Sequence, residues 1–426
     1  MSRLTAAGFP EDHVRARARD GAAAALPSLQ QYGRAMFGAH GTSGSERLDL
    51  LDSLRIVPPV FMPQRLEKLI ELGREPLYTD VDLRTDIGGL RSPLPVLVSA
   101  LGSTDLAHGK IANAVARQAG RRGIPVVMGE NIVPSSGYGR LGDSTHRSLS
   151  ARIRDYCKEL PDATGGIAVQ QSTEDADAEV WNLVYSDPSA LPLLESGRLA
   201  FELKVGQGAK PGLGGMAVVD AQHVTAADIQ FTTDAVFSSD ATRVLRSATP
   251  GTFTHEILHR QIVSMRNNFP RARIWVKLLP GRDIRSAAEV AWAAGADAVT
   301  VDGAESGTGW APLSFLEHVG LPLAEALLRV GRRESCLIAS GRMWEGTRAV
   351  KALALGARAV GVGRAAFLAV DEDPEQGLLK LLDCFGFELR LLISALGKYS
   401  VSDVAQEDLW GLPGAVQTSK NYSWTR

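Results

Sequence analysis

The chain has 426 residues, 45% of them hydrophobic and 22% charged, with 43 Gly and 21 Pro. Such proportions belong to an ordinary globular protein and exclude collagen-like, coiled-coil and wholly disordered chains. A formal net charge of -2 gives no global basic field, so neither nucleic acid nor an acidic membrane is expected as a partner.

The first thirty residues carry Glu11, Asp12 and Asp20 among arginines, with only the short apolar stretch AAAAL at 22–26. A secretory signal needs a longer apolar core, and no window approaches the ~20 apolar residues of a membrane span. Cys157, Cys336 and Cys384 lie far apart without a CxxC, which fits a reducing compartment and excludes a disulfide scaffold. A cytoplasmic location is expected. Residues 1–93 are expected to form an N-terminal helical cap and lead-in.

From residue 94 short apolar runs alternate with helical patterns. The expected strands are Leu94–Ala100, Ile124–Gly129, Ile167–Gln171, Phe201–Val205, Ile274–Leu279, Asp297–Asp302, Cys336–Ser340 and Arg358–Gly363. Several are β-branched without polar alternation, as strands covered on both faces are. Helices are expected at 105–120, at 284–294 before Gly295 and at 345–355 before Gly356, since Gly just past a helix is the usual left-handed stop. Eight strands with helical crossovers predict an α/β fold, a (β/α)8 TIM barrel over 94–375. The long gap from Val205 to Ile274 has room for a crossover helix and an extended loop over the barrel mouth. Residues 376–426 predict one amphipathic helix and a polar, irregular tail.

The densest chemistry is KVGQGAKPGLGG, Lys204–Gly215, closing the fourth strand. Five of the ten residues 206–215 are Gly, so the backbone there can approach a ligand closely. Gln207, Lys210 and Pro211 among them argue against a plain linker. Glu202 and Lys204 alternate with apolar residues and so share one strand face. Inside a barrel that face is the lumen, where a structural ion pair and a functional pair both fit the pattern. Lys277, in WVKLL, is flanked by apolar residues; in a central strand it must point inward, where a cation suits an anionic ring or carboxylate. DGAESGTGWAP, Asp302–Pro312, closes the sixth strand. Gly341 with Arg342 and Gly363 with Arg364 end strands seven and eight, where barrels hold phosphate groups at helix N-termini. His255-Glu256-Ile257-Leu258-His259 is a literal HExxH, which on a helix could hold zinc, although no extended metalloprotease pattern follows.

ELKVGQGAKPGLGG, then VKLL, DGAESGTGWAPL and the SGR/GVGR pair resemble the FMN-binding domain of glutamate synthases. The corresponding stretches of that family read roughly IKxxQGAKPGxGG, VKL, SGHDGGTGASPL and DGG. VLVSALGSTDLAHGKIANAVARQAG with the later VMGEN resembles its first two strands, so the similarity covers about residues 94–366. Ser340–Arg364 also resembles the FMN-dependent 2-hydroxy-acid oxidases. The resemblance implies FMN as cofactor, with Ala100 and Gly102 against the isoalloxazine and Lys277 at its N1/O2 edge. It further implies that Gly303, Gly307, Thr308 and Gly309 line the site and that Gly341, Arg342, Gly363 and Arg364 hold the phosphate. Glu202, Lys204 and Gln207 would then face flavin and substrate, making Lys277, Glu202, Lys204 and Gln207 the candidate catalytic residues.

The departures are equally specific. No cysteine stands at or near residue 2, the closely spaced cluster cysteines are missing, and His-Asp of GHDGGTG is replaced by Ala304-Glu305. The His-Gly-Gly-Arg base motif of the hydroxy-acid oxidases is also missing. The expectation is therefore an FMN-dependent oxidoreductase working at a C–N (amine/imine) or 2-hydroxy/oxo centre of a small-molecule substrate. It is expected as a homo-oligomer, with a partner subunit or electron carrier as in N-methylglutamate synthase. Two alternatives are a flavin-dependent isomerase of the type 2 isopentenyl-diphosphate isomerase kind and a zinc hydrolase through His255 and His259.

Overall fold

A computed structural model describes residues 4–25, 49–100, 111–129, 149–172, 178–206, 208, 217–220, 231–234, 243–248, 253–307 and 318–412. Eight parallel strands close into a barrel. They are β1 (Val96–Val98), β2 (Val126–Met128), β3 (Ile167–Ser172), β4 (Leu199–Lys204), β5 (Arg273–Leu278), β6 (Ala298–Asp302), β7 (Cys336–Ser340) and β8 (Ala359–Val362). Closure comes from β8 pairing back onto β1, Val360 opposite Val96 and Val362 opposite Val98.

Three α-helices precede the barrel among the described residues: α1 (Glu11–Asp20), α2 (Leu50–Ser53) and a further one over Pro63–Leu72. The crossovers are α3 (Ile111–Arg122), α4 (Leu149–Glu159), α5 (Ala178–Ser186), α6 (His255–Asn268), α7 (Ile284–Ala293), α8 (Leu323–Val330) and α9 (Gly346–Ala354). After β8 follow α10 (Arg364–Glu372) and α11 (Gly377–Ala395). The architecture is the expected (β/α)8 barrel. Helix α9 stops where foreseen: Gly356 has φ +107°, a backbone that L side chains rarely adopt.

The strand alternation divides the interior into layers. One residue of each strand (Leu97, Val127, Ala168, Ala200, Trp275, Ala298, Ile338, Ala359) joins a buried apolar cluster inside the barrel. Two positions further along, the same face carries Ser99, Gln170, Glu202, Lys277, Thr300, Ser340 and Gly361. An apolar floor thus lies beneath a polar layer.

Three parts of the chain differ from expectation. The lead-in is not all helical: Thr85–Ile87 and Leu90–Ser92 form an antiparallel hairpin, and its Ile87 and Leu90 complete the apolar cluster. Trp275 Nε1 donates to the Gly88 carbonyl at 3.0 Å, so the hairpin closes the barrel's lower end. The long connection after β4 carries a three-stranded antiparallel sheet, Ala217–Asp220, Arg243–Ala248 and Phe231–Asp234 in spatial order, as well as α6. Its short β-branched runs were hidden behind the glycine-rich stretch. The tail is not irregular throughout: Leu409–Trp410 pairs with Arg55–Ile56, helped by the buried Lys398–Asp408 ion pair at 2.7 Å.

Buried ion pairs fasten the lead-in to the barrel. Arg15 meets Asp371 at 3.0 Å and Arg17 meets Glu388 at 2.6 Å. Arg348, fully buried, pairs with Asp49 at 2.5 Å and with Asp52.

Candidate active site

At the C-terminal ends of the strands a pocket is lined by Ser99, Ala100, Lys277, Asp302, Ser306, Gly307, Ser340, Gly341, Arg342, Met343, Gly361, Gly363, Arg364 and, from the lead-in, Phe9. Charge is arranged in steps along its wall. Lys277, 6% exposed, stands at one end with Asp302, 1% exposed; Nζ and Oδ2 are 3.1 Å apart. Below them lies Glu202, 1% exposed, whose Oε2 accepts from Gln170 Nε2 at 2.5 Å and Oε1 from Thr300 Oγ1 at 2.9 Å. Burial pushes the Glu202 carboxyl above its ordinary range, while the Lys277 charge opposes that shift. Lys204 is the register partner of Lys277 on the neighbouring strand. Two cations and two carboxylates therefore share the upper lumen.

The other end is cationic and tightly turned. Gly341 has φ +143°, and a Cβ there would sit 2.6 Å from Ser306 Oγ. Arg342 follows at φ +47°, the sole positive φ outside glycine among the described residues; such strain costs about 1–2 kcal/mol and concentrates at ligand clamps. Arg364 donates to the Glu305 carbonyl at 2.8 Å and lies 4.8 Å from the Phe9 ring centroid. Burial, and then the Arg342 charge, lower its pKa from the ordinary value. Phe9 in turn packs edge-on against Trp344 at 5.6 Å.

Of the sequence candidates, Ala100, Lys277, Gly307, Gly341, Arg342, Gly363 and Arg364 are brought together here. Glu202 sits beneath, occupied by Gln170 and Thr300. Gly303 has a local reason to be glycine: a Cβ would meet Glu305 Oε2 and Leu323 Cβ, each at 2.6 Å. Gly102, Gln207, Thr308 and Gly309 lie outside the described residues. Of the two strand-end glycines only Gly363 leads directly into a helix. Helix α9 begins five residues after Gly341, and its Gly346 N–H already donates to Glu388 at 2.6 Å.

Sequence reasoning missed Asp302, Ser99, Ser340 and Phe9. The first three carry a signal, polar side chains at the ends of apolar strands on the lumen phase; Phe9 carries none, being remote in sequence. The HExxH segment is not part of this pocket. His255 and His259 are exposed on α6, Glu256 pairs with Arg260 at 2.6 Å, and no group of three or more His, Cys, Asp or Glu among the described residues could hold a metal ion. No helix among the described residues is long and apolar enough to cross a membrane.

The family described as the conserved region in glutamate synthase matches residues 135–372, more than half of the chain. The chain belongs to the glutamate synthase family. A relative, the archaeal-type glutamate synthase [NADPH] of Dehalococcoides mccartyi, is 30% identical over 244 residues, 55% of this chain and 47% of the relative. A glutamate synthase large subunit-like protein of Rhizobium meliloti is 35% identical over 185 residues, 41% of this chain and 40% of that one. The chain thus spans less than half the length of these relatives. Among solved structures, a soluble mutant of the membrane-associated (S)-mandelate dehydrogenase of Pseudomonas putida superposes with a TM-score of 0.54 at 19% identity, over 95% of this chain and 99% of that one. That likeness shows the fold alone.

Within the glutamate synthase family the residues present suit a phosphorylated flavin. Glycines at the wall where no Cβ fits against Ser306 and Ser99, two arginines and a lysine lining the same pocket match a planar ring joined to a phosphate.

Proposed function

We propose that this chain is an FMN-dependent oxidoreductase of the glutamate synthase type, acting at a C–N (amine/imine) or 2-hydroxy/oxo centre of a small molecule. One observation carries the reading: Lys277, on β5, and the Gly341-Arg342/Gly363-Arg364 pair, after β7 and β8, line one pocket, in a chain of this family. Bound FMN would supply hydride transfer at its N5.

The side chains do the rest. Lys277 would place positive charge against the ring edge that becomes negative on reduction, and Asp302 fixes its ammonium. Glu202, held by Gln170 and Thr300, supports that lysine from below and is a positioning residue. Lys204, beside Lys277, would meet a substrate carboxylate, with Gln207 next along the chain. Arg342 and Arg364 would neutralise the phosphate, the second of them steadied by Phe9 and the Glu305 carbonyl. A partner chain or carrier supplying ammonia or electrons belongs to the same reading, since one relative is described as a glutamate synthase large subunit-like protein.

The test is a visible spectrum of the purified protein, with a denatured aliquot to release the ligand. Oxidised flavin bands and FMN rather than FAD on release are expected. A colourless protein that takes up no added FMN would overturn the reading. Lys277→Met should weaken FMN binding or slow flavin reduction severely; wild-type turnover in that variant would remove Lys277 from its assigned role.

A further inference from the structure

Two carboxylates share the upper lumen, and they differ in one respect. Both oxygens of Glu202 accept hydrogen bonds from the protein. Neither oxygen of Asp302 accepts one among the described residues, although the group is 1% exposed. An ionised carboxylate offers about four acceptor sites, and leaving them unused in a buried place is unfavourable, since the desolvation of the group is not repaid. The Lys277 ammonium 3.1 Å away compensates charge without hydrogen-bond geometry. The unmet acceptors point to donors that a ligand brings.

The position of Asp302 says which donors. It lines the same pocket as Lys277 on one side and Gly341, Arg342, Gly363 and Arg364 on the other. Its register partner is Ser340, immediately before the Gly341 turn. It therefore stands between the ring end and the phosphate end. A phosphate would be repelled by this carboxylate, and the ring edge is the business of Lys277. What joins them in a flavin mononucleotide is a polyol whose hydroxyls are O–H donors. Carboxylates take sugar hydroxyls in this way in dinucleotide-binding folds. The family's stretch reads SGHDGGTG where this chain has DGAESGTG, so the carboxylate at this place is a feature of this chain.

We propose that Asp302 is the acceptor for the ribityl hydroxyls of the bound flavin. The inference rests on the FMN reading above and names a further binding residue for it. A pure counter-ion role for Asp302 would act through Lys277 and the ring, and so would not depend on the hydroxyls.

The experiment compares FMN with an analogue in which a plain pentyl chain replaces ribityl, keeping ring and phosphate. Dissociation constants are read by flavin fluorescence quenching on flavin-stripped wild-type protein, Asp302→Ala and the isosteric Asp302→Asn. Wild type should prefer FMN by tenfold or more, and Asp302→Ala should shrink that preference to twofold or less, with Asp302→Asn in between. If the alanine variant does not fold, the asparagine variant alone must narrow the ratio by at least threefold. An unchanged ratio, with both ligands weakened equally, would overturn the proposal while leaving FMN binding intact. Failure of wild type to bind either ligand would overturn the FMN reading itself.

Discussion

Replacing Lys277 by Met should destabilise the fold as well as impair function, and a second substitution should repair most of the damage. The change strands the Asp302 carboxylate, 1% exposed and without a hydrogen bond among the described residues. At 3.1 Å the lost attraction is about 5 kcal/mol at an effective dielectric of about 20. Removing one partner of a buried pair typically costs about 3–5 kcal/mol. Lys277→Met/Asp302→Asn removes both charges, leaving a neutral amide in place of an unpaired anion. We expect Lys277→Met to lose about 3–4 kcal/mol, and the double variant to regain about 2 kcal/mol of that. Urea denaturation of the flavin-free wild type, both single variants and the double variant closes the cycle. A double variant as unstable as the sum of its singles would refute the pairing.

Other consequences are equally direct. Arg348→Met deserts Asp49 and Asp52 together, so a loss of about 3–5 kcal/mol is expected, with limited proteolysis cutting near residues 49–53 before the barrel; uncut protein would refute it. Burial and the charge of Asp49 push the Glu305 carboxyl from 4.5 up to about 7, so the folded chain keeps a proton that the unfolded chain releases. Its stability contribution is whole below about pH 4.5, falls as pH rises to about 7 and is flat above. Glu305→Gln should lack that decline, worth on the order of 2 kcal/mol after allowing for its partial exposure; parallel melting curves from pH 4.5 to 8 would refute it. Gly361→Ala drives a methyl group into Ser99 Oγ, costing about 1–3 kcal/mol. Ser99→Ala in the same chain should recover part of the loss, and no recovery in melting temperature would refute the contact.

The barrel was legible because each strand is an apolar run between turn signals, and because Lys277 and Glu202 are charges in runs that tolerate none without a purpose. The cationic part of the pocket was legible from two Gly-Arg pairs, which line it together. Other features had no local signature. The 85–92 hairpin reads as a polar stretch with two glycines, and its role exists only once eight strand starts surround Ile87 and Leu90. Phe9 reaches Arg364 because ion pairs hundreds of residues apart in sequence fold α1 back onto α10 and α11. Asp302 was visible as the start of a motif but not as a wall residue, since its importance lies in which neighbours fail to bond it. Gly303 erred the other way, a glycine assigned to a ligand that its own turn explains.

The hairpin closing the barrel has a kinetic corollary. With Ile87, Leu90 and Trp275 filling one end, Lys277 is reached from one side only. On the proposed FMN reading, an electron donor and an acceptor using the same flavin would come and go by a single entrance. Two reactants obliged to share one door take turns, so initial-rate plots at varied concentrations of both should run parallel rather than converge.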